Sequence, residues 1–104
     1  MSTLPDAAFV EAEVTLLPPD EGGRRSGIRT GYRCNCHFDG RPSDPDHDAT
    51  FYLLDVDEVA PGAKALTRVH PHHPDDWRLL TEGSTFELRE GPRVIGRAVV
   101  TDLF

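Results

Sequence analysis

Residues 86–101 read Phe86-Glu87-Leu88-Arg89-Glu90-Gly91-Pro92-Arg93-Val94-Ile95-Gly96-Arg97-Ala98-Val99-Val100-Thr101. Two apolar runs flank one turn signal. From Ser84 to Glu90, Phe86 and Leu88 fall on one face and Glu87 and Arg89 on the other, the period of a half-buried strand. Gly91-Pro92 turns the chain. Arg93 to Leu103 follows as a second strand, with Val94, Ala98 and Val100 expected inward. Gly96 interrupts that strand and marks an expected bulge or corner. A lone hairpin is not stable in water, so its apolar face requires further strands.

The rest of the chain supplies them. Phe9 to Leu17 alternates, with Val10, Ala12, Val14 and Leu16 opposite Glu11, Glu13 and Thr15. Pro18 and Pro19 end that strand, since neither donates to a ladder. Asp20 to Gly27 is a polar loop. Thr30 to Phe38 is the next strand, with Tyr32, Cys34, Cys36 and Phe38 on one face and Arg33, Asn35 and His37 on the other. Asp39 to Asp48 reads as a loop. Thr50 to Val56 is the third strand. Ala60-Pro61-Gly62-Ala63 has the composition of a type II turn. Lys64 to Val69 is a short fourth strand. His70 to Asp76 is a second loop, after which Trp77, Leu79 and Leu80 are expected to fold over a barrel end. No 11-residue window carries a helical period. These strands predict an all-β protein, a six-stranded antiparallel closed β-barrel over residues 9–104. A flexible N-terminal tail is expected over residues 1–8. Closure hides the strand edges.

The chain has 104 residues and a formal net charge of −7. That is the size of one domain with one core. Charge is unevenly placed. Residues 1–23 hold five acids and no Lys or Arg, residues 24–38 hold Arg24, Arg25, Arg29 and Arg33 and no acid, and residues 39–58 hold seven acids against Arg41. The acidic total disfavours general nucleic-acid binding, because phosphates are repelled at long range. No apolar run is long enough to span a bilayer, so no membrane partner is expected. The first residues show no signal-peptide pattern, so a cytoplasmic protein is expected. No phosphate-binding Gly-x-x-x-x-Gly-Lys loop occurs, so no nucleotide or other cofactor is expected.

Three side-chain groupings invite chemistry. Cys34, Cys36 and His37 stand in a spacing unlike a zinc hairpin. Both cysteines share the apolar face and read as small core hydrophobes, while His37 points the other way. His70, His72 and His73 read as an exposed loop cluster. Asp44, Asp46 and Asp48 alternate, but Pro45 and a missing glycine spoil a calcium loop. Cys34 or Cys36 with His37 or His70 is a conceivable nucleophile and base, but Cys36 and His37 point to opposite strand faces, and no catalytic residue and no metal site is assigned. Trp77 reads as a plug, with Trp77 or Phe104 as a partner anchor being the alternative.

Five segments in order resemble the C-terminal β-barrel of bacterial elongation factor Tu. They are Phe9 to Val14 with Leu16-Leu17 and Asp20-Glu21-Gly22-Gly23-Arg24; Gly31-Tyr32-Arg33; Val59-Ala60-Pro61-Gly62; His70-Pro71 with Asp75-Asp76; and Phe86 to Thr101. The last is similar to the family's FAIREGGRTVGAGVVT segment. The resemblance implies a six-stranded antiparallel barrel without a GTPase domain. It also implies loops that touch the T-stem of aminoacyl-tRNA, with Arg24 and Gly91 at the RNA-facing positions and Arg25 keeping a cation where the family often has histidine. The chain departs from the pattern at Cys34-Asn35-Cys36, Ala63, Pro92 and Arg97. Pro92 removes a backbone donor beside Gly91.

The expectation is therefore a non-catalytic docking module for a protein partner. Its candidate surface is Arg24, Arg25, Arg29 and Arg33, joined by Arg89, Gly91 and Arg93 of the hairpin. Contact with tRNA is the alternative. The acidic loop is a second candidate surface, and a homodimer made by patch-on-acid contact is also open.

Overall fold

The computed structural model describes residues 10–103. The expected tail over residues 1–8, and Phe104, lie outside them. Among the described residues there are eight strands. They are β1 (Val10–Leu16), β2 (Ile28–Arg29), β3 (Tyr32–Phe38), β4 (His47–Leu53), β5 (Glu58–Val59), β6 (Lys64–Pro71), β7 (Thr85–Glu90) and β8 (Arg93–Leu103). Six of them close a barrel in the order β1-β6-β4-β3-β7-β8, every neighbouring pair antiparallel.

The alternation carries the fold. Val10, Ala12, Val14 and Leu16 of β1 are buried, as are Cys34, Cys36 and Phe38 of β3 and Phe86 and Leu88 of β7. A side-chain period of two sends alternate residues into the barrel and the others to the outer wall. Each large apolar side chain so buried contributes about 1.5–3 kcal/mol. The buried hydroxyl of Thr67 is satisfied by donating to the Ala12 carbonyl at 2.9 Å, which removes the cost of an unpaired polar group.

Several boundaries differ from the sequence reading. β4 covers His47–Leu53 rather than Thr50 to Val56. Its first residues pair with Cys36 and Cys34 of β3, so the ladder reaches into the acidic segment. β6 continues through His70 and Pro71, which pair with Thr50 and Ala49. His70 is therefore a buried strand residue and not part of an exposed loop. In β8 it is Ile95 that is fully buried, while Val94 is only half-buried. The β7–β8 register passes from Leu88↔Gly96 to Arg89↔Val94, leaving Ile95 as the extra residue of a bulge beside Gly96. A bulge turns one added side chain to the other face.

The ends are closed differently. At one end Trp77, in a short 3-10 turn (Pro74–Trp77), packs edge-on against Phe38 at 5.0 Å and Phe86 at 5.3 Å. Leu80 is buried with it, whereas Leu79 is exposed. At the other end β2 and β5 pair, burying Ile28 and Val59. The β7–β8 turn lies at that second end, and Gly91 has φ +59°, as the first central residue of a primed hairpin turn requires.

Candidate functional site: the arginine-bearing barrel end

The antiparallel order places the end of β1, the start of β3, the end of β4 and the β7–β8 turn at one barrel end. Arg24, Arg25, Arg29, Arg33, Gly91 and Arg93 therefore meet there, although 66 residues separate Arg24 from its partner Glu90. The loops 39–46 and 72–84 lie at the opposite end. They hold six acids against Arg41 and Arg78, so the arginine patch and the acidic loop belong to opposite ends of one body.

Glu90 organises the arginine-bearing end. Its Oε2 accepts from the Arg24 guanidinium and from the Tyr32 hydroxyl at 2.6 Å, and its Oε1 accepts from Arg93 at 3.3 Å. Arg24 also lies over the Tyr32 ring, 5.1 Å from its centroid, a cation–π arrangement. Burial works against the ionised Glu90, but the hydrogen bonds from Tyr32 and Arg24 outweigh it and hold the carboxyl below its ordinary range. Burial and the bond to Glu90 together raise the Tyr32 phenol well above its ordinary value. Arg24 is thus ion-paired within the fold.

The other candidates separate into two sets. Arg29 pairs with Glu58 at 3.1 Å across the β2–β5 ladder. Arg89 turns away from this end, bonding Glu87 at 2.6 Å and approaching Asp46 at 3.6 Å. Arg25 and Arg33 are exposed, and among the described residues neither has an ion-pair partner. A groove of about 690 Å³ at this end is lined by Arg29, Thr30 and residues 53–57. Leu54 and Val56 expose more than two-fifths of their surface in it. Sequence reading missed this groove, because β4 was expected to continue through Val56.

The groupings that suggested metal or catalysis are dispersed. Cys34 and Cys36 are buried, unpaired thiols. Desolvation, then the hydrogen bond with Cys34, pushes the Cys36 thiol well up. His37 lies on the outer wall and bonds Asp46 at 2.9 Å. His47 stacks on Phe38 at 4.7 Å, and His72 meets Thr50 Oγ1 at 3.0 Å. Among the described residues no three His, Cys, Asp or Glu side chains are grouped to hold a metal ion. No helix among them is long and apolar enough to cross a membrane.

Fold and site together define a class: a small closed antiparallel barrel with an ion-paired hub and an open mixed groove at one end. No protein-family model matches the chain.

Proposed function

We propose that this chain is a non-catalytic docking module that binds a protein partner at the arginine-bearing end, in the manner of the elongation factor Tu C-terminal barrel that its sequence resembles. The observation that carries the reading is the groove lined by Arg29, Thr30 and residues 53–57. Exposed Leu54 and Val56 lie there among Asp55, Asp57 and Arg29. Apolar anchors within a mixed polar rim suit a protein surface, whereas Asp55 and Asp57 in the groove repel a phosphate backbone. The test is an affinity pull-down from native lysate, with and without RNase, using wild type, Leu54→Asp and Arg33→Glu. A stoichiometric protein that survives RNase and is lost with either variant supports the reading. A partner retained by both variants overturns it.

One observation favours tRNA contact as a second reading. Arg24 and Gly91, the positions that the resemblance implies would face RNA, lie at a single edge of this end together with Arg93. Against it stand the Glu90 carboxylate in their midst and the net charge. RNA binding by this edge would fall steeply with salt and weaken in Arg24→Ala. Insensitivity to that substitution removes the idea.

A further inference from the structure

Cys34 and Cys36 are the two cysteines of the chain, and the docking reading gives them no role. A strand's period of two turns both side chains to the barrel interior, where Cys34 is 8% exposed and Cys36 fully buried. Both are free thiols. The pair straddles the end of a ladder. Cys36 pairs with Leu88 of β7, but the last β3–β7 pair is Asn35↔Arg89, so Cys34 lies just past it. Cys34 also lines a small opening of about 120 Å³ with Arg33, Asn35, Asp48 and His72. One thiol therefore stands at a way in from solvent, and the other is sealed in the core.

The neighbours on that face limit the chemistry. Register partners on adjacent strands share a face. Cys34 is opposite Ala49, whose side chain is one methyl group, and Cys36 is opposite His47. The His47 ring is already engaged, stacked on Phe38 at 4.7 Å and reaching Asp76 at 3.5 Å. The two sulfurs are thus the soft donors of this stretch of wall. A disulfide suits their spacing poorly. Alternate residues of a strand lie about 6.8 Å apart, at the upper end of the Cα separations that a disulfide spans. An ion held between two sulfurs bridges a wider gap than a sulfur–sulfur bond. Zinc suits the pair no better, because it takes four donors and no third His, Cys, Asp or Glu is grouped with the pair among the described residues.

We propose that Cys34 and Cys36 form a two-coordinate site for a soft monovalent metal ion, Cu(I), with one thiolate on either side of it. Soft thiolate ligands select Cu(I), and its filled d shell demands no larger set of donors. Each thiol gives its proton to solvent as its sulfur–copper bond forms, so one ion displaces two protons and no electron is transferred. The product carries one negative charge. The exposed Arg33 in the lining of the opening offsets that charge, while Asp48 in the same lining opposes it but draws a cation inward. Burial disfavours a bare Cys36 thiolate, and the metal offsets that cost by taking the sulfur as the proton leaves. The site is separate from the groove and stands if the docking reading fails.

The test uses the full chain, reduced and in anaerobic buffer, with Cu(I) supplied as its coloured bicinchoninate complex. Wild type is expected to withdraw one copper per chain, read as bleaching of that complex, without a change in oligomeric state. Cys34→Ala and Cys36→Ala should each weaken binding by at least about a hundredfold, more than the loss of an outer-shell partner costs. Unchanged far-ultraviolet circular dichroism establishes that each variant is folded. X-ray absorption of the wild-type copper complex needs no variant and should show two sulfur neighbours, with no nitrogen or oxygen neighbour. The proposal is overturned by any of four results: no copper withdrawn from the bicinchoninate complex, copper retained by the double variant Cys34→Ala/Cys36→Ala, a nitrogen or oxygen neighbour on the bound ion, or one copper shared between two chains.

Discussion

Tyr32 and Glu90 are joined across a seam where the β3–β7 ladder has already ended. The ladder runs from Phe38↔Phe86 to Asn35↔Arg89 and goes no further. Beyond it, the Tyr32 hydroxyl donates to Glu90 Oε2 at 2.6 Å, and Arg24 from the β1–β2 loop joins the same oxygen. Side chains therefore close the barrel where backbone pairing does not. Glu90→Ala leaves both donors without their acceptor and should cost about 2 kcal/mol, read by urea denaturation. Faster amide exchange at Tyr32 and Arg33 than at Cys36 should accompany it.

The same carboxylate gives the protein an acid limb. Glu90 in the fold titrates below its ordinary value of 4.5, so the unfolded chain binds the extra proton in the interval between. Stability from this group is complete above about pH 5 and is lost as pH falls through the folded value. Glu90→Gln should flatten that part of the stability–pH curve while leaving its slope above pH 6 unchanged. A curve of unchanged shape would show that Glu90 is not the titrating group.

Trp77 is the single tryptophan of the chain and is almost wholly buried against Phe38 and Phe86. Its emission should be blue-shifted in the native state and move to the red on unfolding. Trp77→Ala opens the barrel end and should cost about 3–5 kcal/mol. Leu79→Ala, two residues further along the chain but exposed, should change stability by less than about 0.5 kcal/mol.

Gly23 sits where a side chain has no room. A Cβ there would lie 1.9 Å from the Leu17 carbonyl oxygen and 2.8 Å from that of Pro18. These are backbone atoms, so no rotamer change relieves the clash. Gly23→Ala should destabilise by about 3 kcal/mol and displace Arg24 from Glu90. A melting temperature equal to wild type would contradict this placement of the loop.

Cys36 is fully buried and its thiol is held in the neutral form. A thiol-specific disulfide reagent needs a thiolate. In native protein at pH 8 it should modify Cys36 no faster than the chain opens, and in denaturant it should modify both cysteines at once. Rapid native labelling of both would place these side chains outside the core.

Sequence alone determined the all-β class, the six barrel strands and most of the core, because a strand writes its two faces into every second residue. Phe86 and Leu88 against Glu87 and Arg89 are legible without any partner. What alternation does not encode is where a neighbour's hydrogen bonds stop and which distant residues face one another. The tertiary structure alone therefore decided that β4 begins at His47, that Ile95 rather than Val94 is buried at a bulge, and that His70 belongs to a strand. It also decided the surface chemistry. Arg24 reads as a free cation in the chain and is an ion-paired one in the fold, because closing the barrel brings Glu90 against it.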